Sequence, residues 1–197
     1  AWLESVKERR FFGWIHLYDP HTPYDPPEPY ASRYPRRPYV GEVAYTDEQV
    51  GRVLQWLRER GLDRRTIVVV VADHGESLGQ HKETTHGFFI YDATMHVPFL
   101  LKAPYRQIRP GQRIPAQVRN VDLMPTILDL VAVKPPETIQ GTSLVPLLEG
   151  ETEDEYRARI GPLISTGLAI PRMRATENRR VAEEKAGVTP EQSKKLD

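Results

Sequence analysis

The run Thr66-Ile67-Val68-Val69-Val70-Val71-Ala72, followed at once by Asp73-His74-Gly75-Glu76, decides the reading of the fold. An almost wholly β-branched, apolar run without polar alternation predicts a strand covered on both faces, the mark of a mainly parallel sheet. Ligands in such sheets bind beyond the carboxyl ends of the strands, so Asp73 and His74 stand where a site is expected. An aspartate oxygen beside an imidazole nitrogen suits a divalent cation, and Gly75 lets the backbone turn away so that both side chains face one cavity. The tripeptide alone is equally compatible with a plain turn in which Asp73 caps a following helix and His74 is exposed.

Outward from this strand, helical spacing of Val43, Val50, Val53, Leu54 and Leu57 predicts a helix from Gly41 to Gly61, with Gly61 as its stop. His96–Lys102 reads as a second strand, and Val121–Val133 as a helix capped by Asp122. Phe11–Leu17 reads as a short buried strand that ends in the stiff loop DPHTPYDPPEPY, where prolines forbid regular structure. Strands alternating with helices give an α/β fold, a mainly parallel or mixed sheet flanked by helices. From about Glu151 the pattern weakens, and residues 151–197 are expected to form a weakly structured tail behind a domain of residues 1–150.

Composition narrows the chemistry. The 197 residues carry 27 basic and 27 acidic side chains, so no net field draws nucleic acid or an anionic membrane, and any anion must be held by local groups. Cysteine is absent, which removes thiolate metal sites and cysteine nucleophiles. No apolar run reaches the roughly 20 residues of a membrane span. Ala1–Arg10 has no signal-peptide core; it reads as an amphipathic helix, so the chain is expected to begin inside a domain, with localisation (periplasmic, secreted or cytoplasmic) left open.

Two further loops hold candidate residues. His21, between Pro20 and Pro23, has few accessible backbone states and can donate to an anionic oxygen or a leaving group; a surface loop histidine is the plainer reading. The stretch GQHKETTHGFF places His81, Lys82 and His86 in one loop, cationic donors that could face an anion or simply be solvated.

Taken in order, FFGWIHLYDPHTPYDPPEPY, GEVAYTDEQVGRVLQWLRERG, TIVVVVADHGESLGQH, THGFFIYDATMHVPFLLKAP and VDLMPTILDLV with GTSLVPLLEG resemble the later blocks of the bacterial sulfatase family, in the alkaline-phosphatase-like superfamily. The resemblance covers about Phe11 to Gly150 and implies a partial sulfatase catalytic domain. It implies that Asp73 and His74 bind the divalent cation, typically Ca²⁺ (alternatives Mg²⁺, Mn²⁺ or Zn²⁺). It also implies that His21 contacts the sulfate or protonates the leaving oxygen as the catalytic histidine. His86 falls where many members have a sulfate-binding lysine, and a histidine there is a weaker, pH-dependent cation. Family members also carry an N-terminal pair of metal-binding aspartates and a C/S-x-P-x-R motif, oxidised to the formylglycine nucleophile. No Cys and no Ser preceding x-Pro-x-Arg occurs in these residues, so formylglycine is expected upstream. The resemblance therefore implies a sulfuric ester hydrolase acting on a small sulfate ester, of which this chain is half a site and inactive alone. A phosphodiesterase or phosphonate-ester hydrolase of the same superfamily, or a non-catalytic truncated fragment, is the alternative.

Overall fold

The computed structural model describes residues 2–104, 106 and 108–167, which form two compact units divided between Val68 and Val69.

The first unit is helical. Helix α1 spans Trp2–Val6, α2 spans Tyr30–Arg33 and α3 spans Pro38–Glu59, close to the helix that the apolar spacing predicts. Pro38 opens α3, where a missing N–H costs nothing, and Gly61 at φ +64° turns the chain away after its end. Tyr30 and Leu57 are buried, and the Tyr30 ring packs on Tyr45 with centroids 5.7 Å apart. Gly41 lies against Pro26, whose Cγ would sit 2.8 Å from an added Cβ, so α3 and the proline-rich loop are in close contact there.

Phe11–Leu17 does not form the expected buried strand. The segment carries no strand pairing, and Phe12, Trp14 and Ile15 are exposed. A strand is held by the ladder of its neighbours, and among the described residues none lies beside this one.

The second unit takes in all but the first residue of strand β1, Val68–Val71, which pairs with β2, Phe99–Lys102. Between them come a 3₁₀ turn at Gln80–Lys82 and helix α4, Asp92–Met95. After β2 a 3₁₀ turn at Asn120–Asp122 runs into α5, Leu123–Leu130, followed by α6, Val145–Glu149, and α7, Glu153–Gly167. The sheet has two strands among the described residues, and β1 is half-buried along its length rather than enclosed on both faces. Helices around a small sheet give the α/β class that the strand and helix pattern predicts.

Leu144, Leu147, Tyr156, Ile160 and Ala116 make the core of this unit, with Phe99, Ile114 and Val118 packed against it. Of the segment 151–197, read from sequence as weakly structured, residues 153–167 form α7 and contribute Tyr156 and Ile160 to that core; residues 168–197 lie outside the described residues.

Asp122 does not cap α5 with its side chain. It is fully buried and its carboxylate accepts from the Arg119 guanidinium (2.8 and 3.1 Å), the Arg119 N–H (3.1 Å) and the Thr142 N–H (2.9 Å). Three separate donors compensate its burial, and they tie the 3₁₀ turn before α5 to the segment before α6. This network raises the Arg119 pKa, chiefly through the hydrogen bonds to Asp122. No helix among the described residues is long and apolar enough to cross a membrane.

Candidate functional site

Strand β1 delivers Asp73 and His74 just past its carboxyl end, and the following backbone is fixed from two sides. The Gly75 N–H donates to the Thr94 carbonyl at 2.8 Å, and a Cβ at Gly75 would fall 2.2 Å from the Ala93 carbonyl oxygen, a contact no side chain tolerates. Only glycine lets the turn dock onto α4 in this way. On the other side, the Asn120 amide donates to the Ala72 carbonyl at 3.0 Å and reaches the Asp73 carbonyl at 3.4 Å.

The turn sets the side chains. The Asp73 carboxylate accepts from the His74 N–H at 2.9 Å, and its Oδ1 lies 3.8 Å from His74 Nε2. His74 Nδ1 sits 2.8 Å from the Gly75 carbonyl oxygen. A carbonyl only accepts, so Nδ1 carries the proton and Nε2 of the neutral ring is left with its lone pair. A carboxylate and an imidazole Nε2 at this separation fit part of the coordination sphere of one divalent ion, with the imidazole's other nitrogen hydrogen-bonded in the manner usual for a metal-binding histidine. Among the described residues no group of three or more His, Asp or Glu side chains gathers as a metal site.

His86 is brought to the same place. Its ring stacks on His74 with centroids 3.9 Å apart and a tilt of 31°. Its Nδ1 lies 3.1 Å from the Glu76 carboxylate, which is only 6% exposed. Asp73, His74 and His86, singled out separately from the sequence, thus share one corner of the second unit, and Glu76 joins them. The other two candidates in the loop do not: His81, at φ +54°, stacks on Tyr91 with centroids 3.9 Å apart, and Lys82 is exposed.

His21 belongs to the first unit. Its Nδ1 lies 2.9 Å from the Tyr18 hydroxyl and 2.7 Å from the Thr22 carbonyl oxygen. The loop is pinned by buried Glu42 of α3, which accepts from the His21 N–H at 3.1 Å and the Asp25 N–H at 2.6 Å, and by Thr46, which donates to the Asp19 carbonyl at 3.0 Å.

Glu42 and Glu76 were missed in the sequence reading. A glutamate within a polar helix or a charged loop carries the same local signal as a solvated one, although DHGE does place Glu76 beside two candidate ligands.

The partial α/β fold is that of the alkaline-phosphatase-like superfamily, to judge by the solved structures it resembles. The chain belongs, within that superfamily, to the sulfatase family, whose model, described as Sulfatase, matches residues 1–133. It is similar to arylsulfatase K of Gallus gallus, 33% identical over 82% of this chain and 32% of that protein. A second relative is the N-acetylglucosamine-6-O-sulfatase of Bacteroides thetaiotaomicron, 37% identical over 61% of this chain and 22% of that one. Among solved structures, a putative sulfatase from Bacteroides fragilis superposes with a TM-score of 0.62 at 28% identity, covering 68% of this chain and 35% of that one. A phosphonate monoester hydrolase from Silicibacter pomeroyi superposes with a TM-score of 0.54 at 41% identity, covering 59% of this chain and 22% of that one. The chain spans between about a fifth and a third of the length of the curated relatives it matches.

Proposed function

We propose that the chain serves in the hydrolysis of sulfate esters, as the part of a sulfatase that supplies two cation ligands and two anion-facing histidines. The observation that carries this reading is the corner at the end of β1, where Asp73 and His74 stand beside His86. Asp73 and His74 Nε2 would hold a divalent cation, Ca²⁺ by the family's pattern, through oxygen and nitrogen donors. The cation, when bound, would neutralise charge on the ester's oxygens. His86 contributes a donor to the sulfate, and His21, whose loop Glu42 fixes, passes a proton to the departing alcohol oxygen. The nucleophile used by the family has no counterpart in residues 1–197, so the chain alone is expected to turn over no ester. A sulfated amino sugar is the first substrate class to assay, given the N-acetylglucosamine-6-O-sulfatase among the relatives.

A second reading, phosphonate monoester hydrolysis, is favoured by the 41% identity to the Silicibacter pomeroyi enzyme. The test assays the gene's full product on an aryl sulfate and an aryl phosphonate, with Asp73→Ala and His21→Ala variants. Preferential sulfate turnover lost in Asp73→Ala supports the sulfatase reading. Preferential phosphonate turnover, or full sulfate turnover in Asp73→Ala, overturns it.

A further inference from the structure

The stacked histidines are held by two different acceptors, one covalently nearby and one not. His74 Nδ1 faces the Gly75 carbonyl of its own turn, whereas His86 Nδ1 faces the carboxylate of Glu76, ten residues earlier in the chain. Both acceptors lack a proton to give, since a carbonyl and an ionised carboxylate only accept. Both rings are therefore committed to carrying a proton on Nδ1, and in both Nε2 is the nitrogen turned away from that acceptor. Glu76 is almost fully enclosed, and the enclosure is not explained by packing needs, because an apolar side chain would fill the same space without desolvating a charge.

We infer that Glu76 is the positioning residue of His86: its buried carboxylate holds the imidazole by Nδ1, fixes the ring against His74 and makes Nε2 the atom through which His86 meets its ligand. The hydrogen bond sets both the tautomer and the rotation of the ring, as an outer carboxylate does for histidines at metal centres. Two facing imidazoles, tilted by 31°, then present the same nitrogen: His74 offers its Nε2 lone pair to the cation, and His86 reaches the anion through Nε2 once that nitrogen also carries a proton, as in the imidazolium. That division of labour rests on the sulfatase reading. The placement of the proton on His86 does not.

The experiment is long-range ¹H–¹⁵N correlation NMR of the 197-residue chain, at a single alkaline pH where histidine rings are neutral, on wild type, Glu76→Gln and Glu76→Ala. In wild type, the ¹⁵N shift typical of an unprotonated nitrogen is expected at Nε2 of both His74 and His86. Glu76→Gln keeps an amide oxygen that accepts from Nδ1 and is expected to preserve this pattern. Glu76→Ala is expected to move the unprotonated signal of His86 to Nδ1, since free imidazole prefers the proton on Nε2, while His74, held by Gly75, is unchanged. A wild-type His86 protonated on Nε2 overturns the inference even if no variant folds, and so does a Glu76→Ala spectrum with His86 unchanged. Since the spectra need no substrate or metal, their outcome is independent of whether sulfate esters are hydrolysed.

Discussion

The imidazoles of His74 and His86 stack at 3.9 Å although one sits in a tight strand-end turn and the other in the loop that leads to α4. Offset aromatic pairs add about 0.5–1.5 kcal/mol beyond the area they bury. A double-mutant cycle of His74→Ala and His86→Ala, followed by urea denaturation, is expected to give a coupling energy in that range. Strict additivity of the two single changes would mean that the rings do not support one another.

Two ligands leave most of a calcium coordination sphere to water, since Ca²⁺ takes about six to eight oxygens. Calorimetric titration of the 197-residue chain with Ca²⁺ is expected to show a Kd of about a millimolar or weaker. A micromolar constant that disappears in Asp73→Ala would show that the chain gathers more ligands than Asp73 and His74.

Gly75 and Gly51 make an internal contrast. A methyl at Gly75 meets a backbone carbonyl oxygen at 2.2 Å, while at Gly51, on an exposed turn of α3, it meets nothing within 4 Å. Gly75→Ala is expected to cost about 1–3 kcal/mol or more. Gly51→Ala is expected to stabilise by about 0.5–1 kcal/mol, because alanine favours a helix interior. Chemical denaturation of both variants decides it, and a tolerated Gly75→Ala would contradict the docking of the turn onto α4.

The elements legible in the sequence were those whose signal is local. The valine run of β1, the 3.6-residue spacing of α3 and the Asp-His-Gly turn each carry their reason within a few residues. Phe11–Leu17 has the composition of a strand, but a strand needs neighbours that composition cannot name. Asp122 stands at the start of a helix and invites a capping role, yet its carboxylate turns to Arg119 and to Thr142, twenty residues away. The start of α7 carries a local signal too: Thr152-Glu153-Asp154-Glu155 is a capping box, with Thr152 N–H donating to Glu155 at 2.8 Å and Glu155 N–H to the Thr152 hydroxyl at 3.3 Å. The weakening apolar pattern from about Glu151 points instead to a loosely held tail. Glu42 and Glu76, which hold the loop of His21 and the ring of His86, could not be told from surface glutamates without the packing around them.

That capping box has a pH signature. Hydrogen bonds from the Thr152 backbone and hydroxyl hold the Glu155 carboxyl below its ordinary value of 4.5. A depressed carboxyl contributes stability that is complete above the unfolded value and is lost as pH falls through the folded one. Wild type is therefore expected to lose helix α7 stability below about pH 4.5, while Glu155→Gln loses this part of the acid dependence. Thr152→Ala is expected to cost about 1 kcal/mol at neutral pH through the lost cap. Circular dichroism melts between acid and neutral pH check both, and an identical acid profile in Glu155→Gln would remove Glu155 from the account.

Tyr156 gives the opposite sign at the other end of the pH scale. Its ring lies at the centre of the second unit's core, 1% exposed, and among the described residues its hydroxyl has no hydrogen-bond partner. Burial, and after it the nearby Asp122 charge, push its ionisation above the ordinary value of 10.0. For a group whose folded pKa is raised, the stability it contributes is fully present below the unfolded value and is lost as pH rises through the folded one. The wild-type chain is thus expected to weaken above about pH 10 in part because an anionic phenolate has no place in this core. Tyr156→Phe removes that ionisation, and at neutral pH it also removes a buried hydroxyl whose unmade hydrogen bond costs about 1–3 kcal/mol. The variant is expected to be as stable as wild type or more so at pH 7, with a flatter alkaline decline in urea unfolding. A Tyr156→Phe chain that is clearly less stable at pH 7 would mean that the hydroxyl is bonded after all.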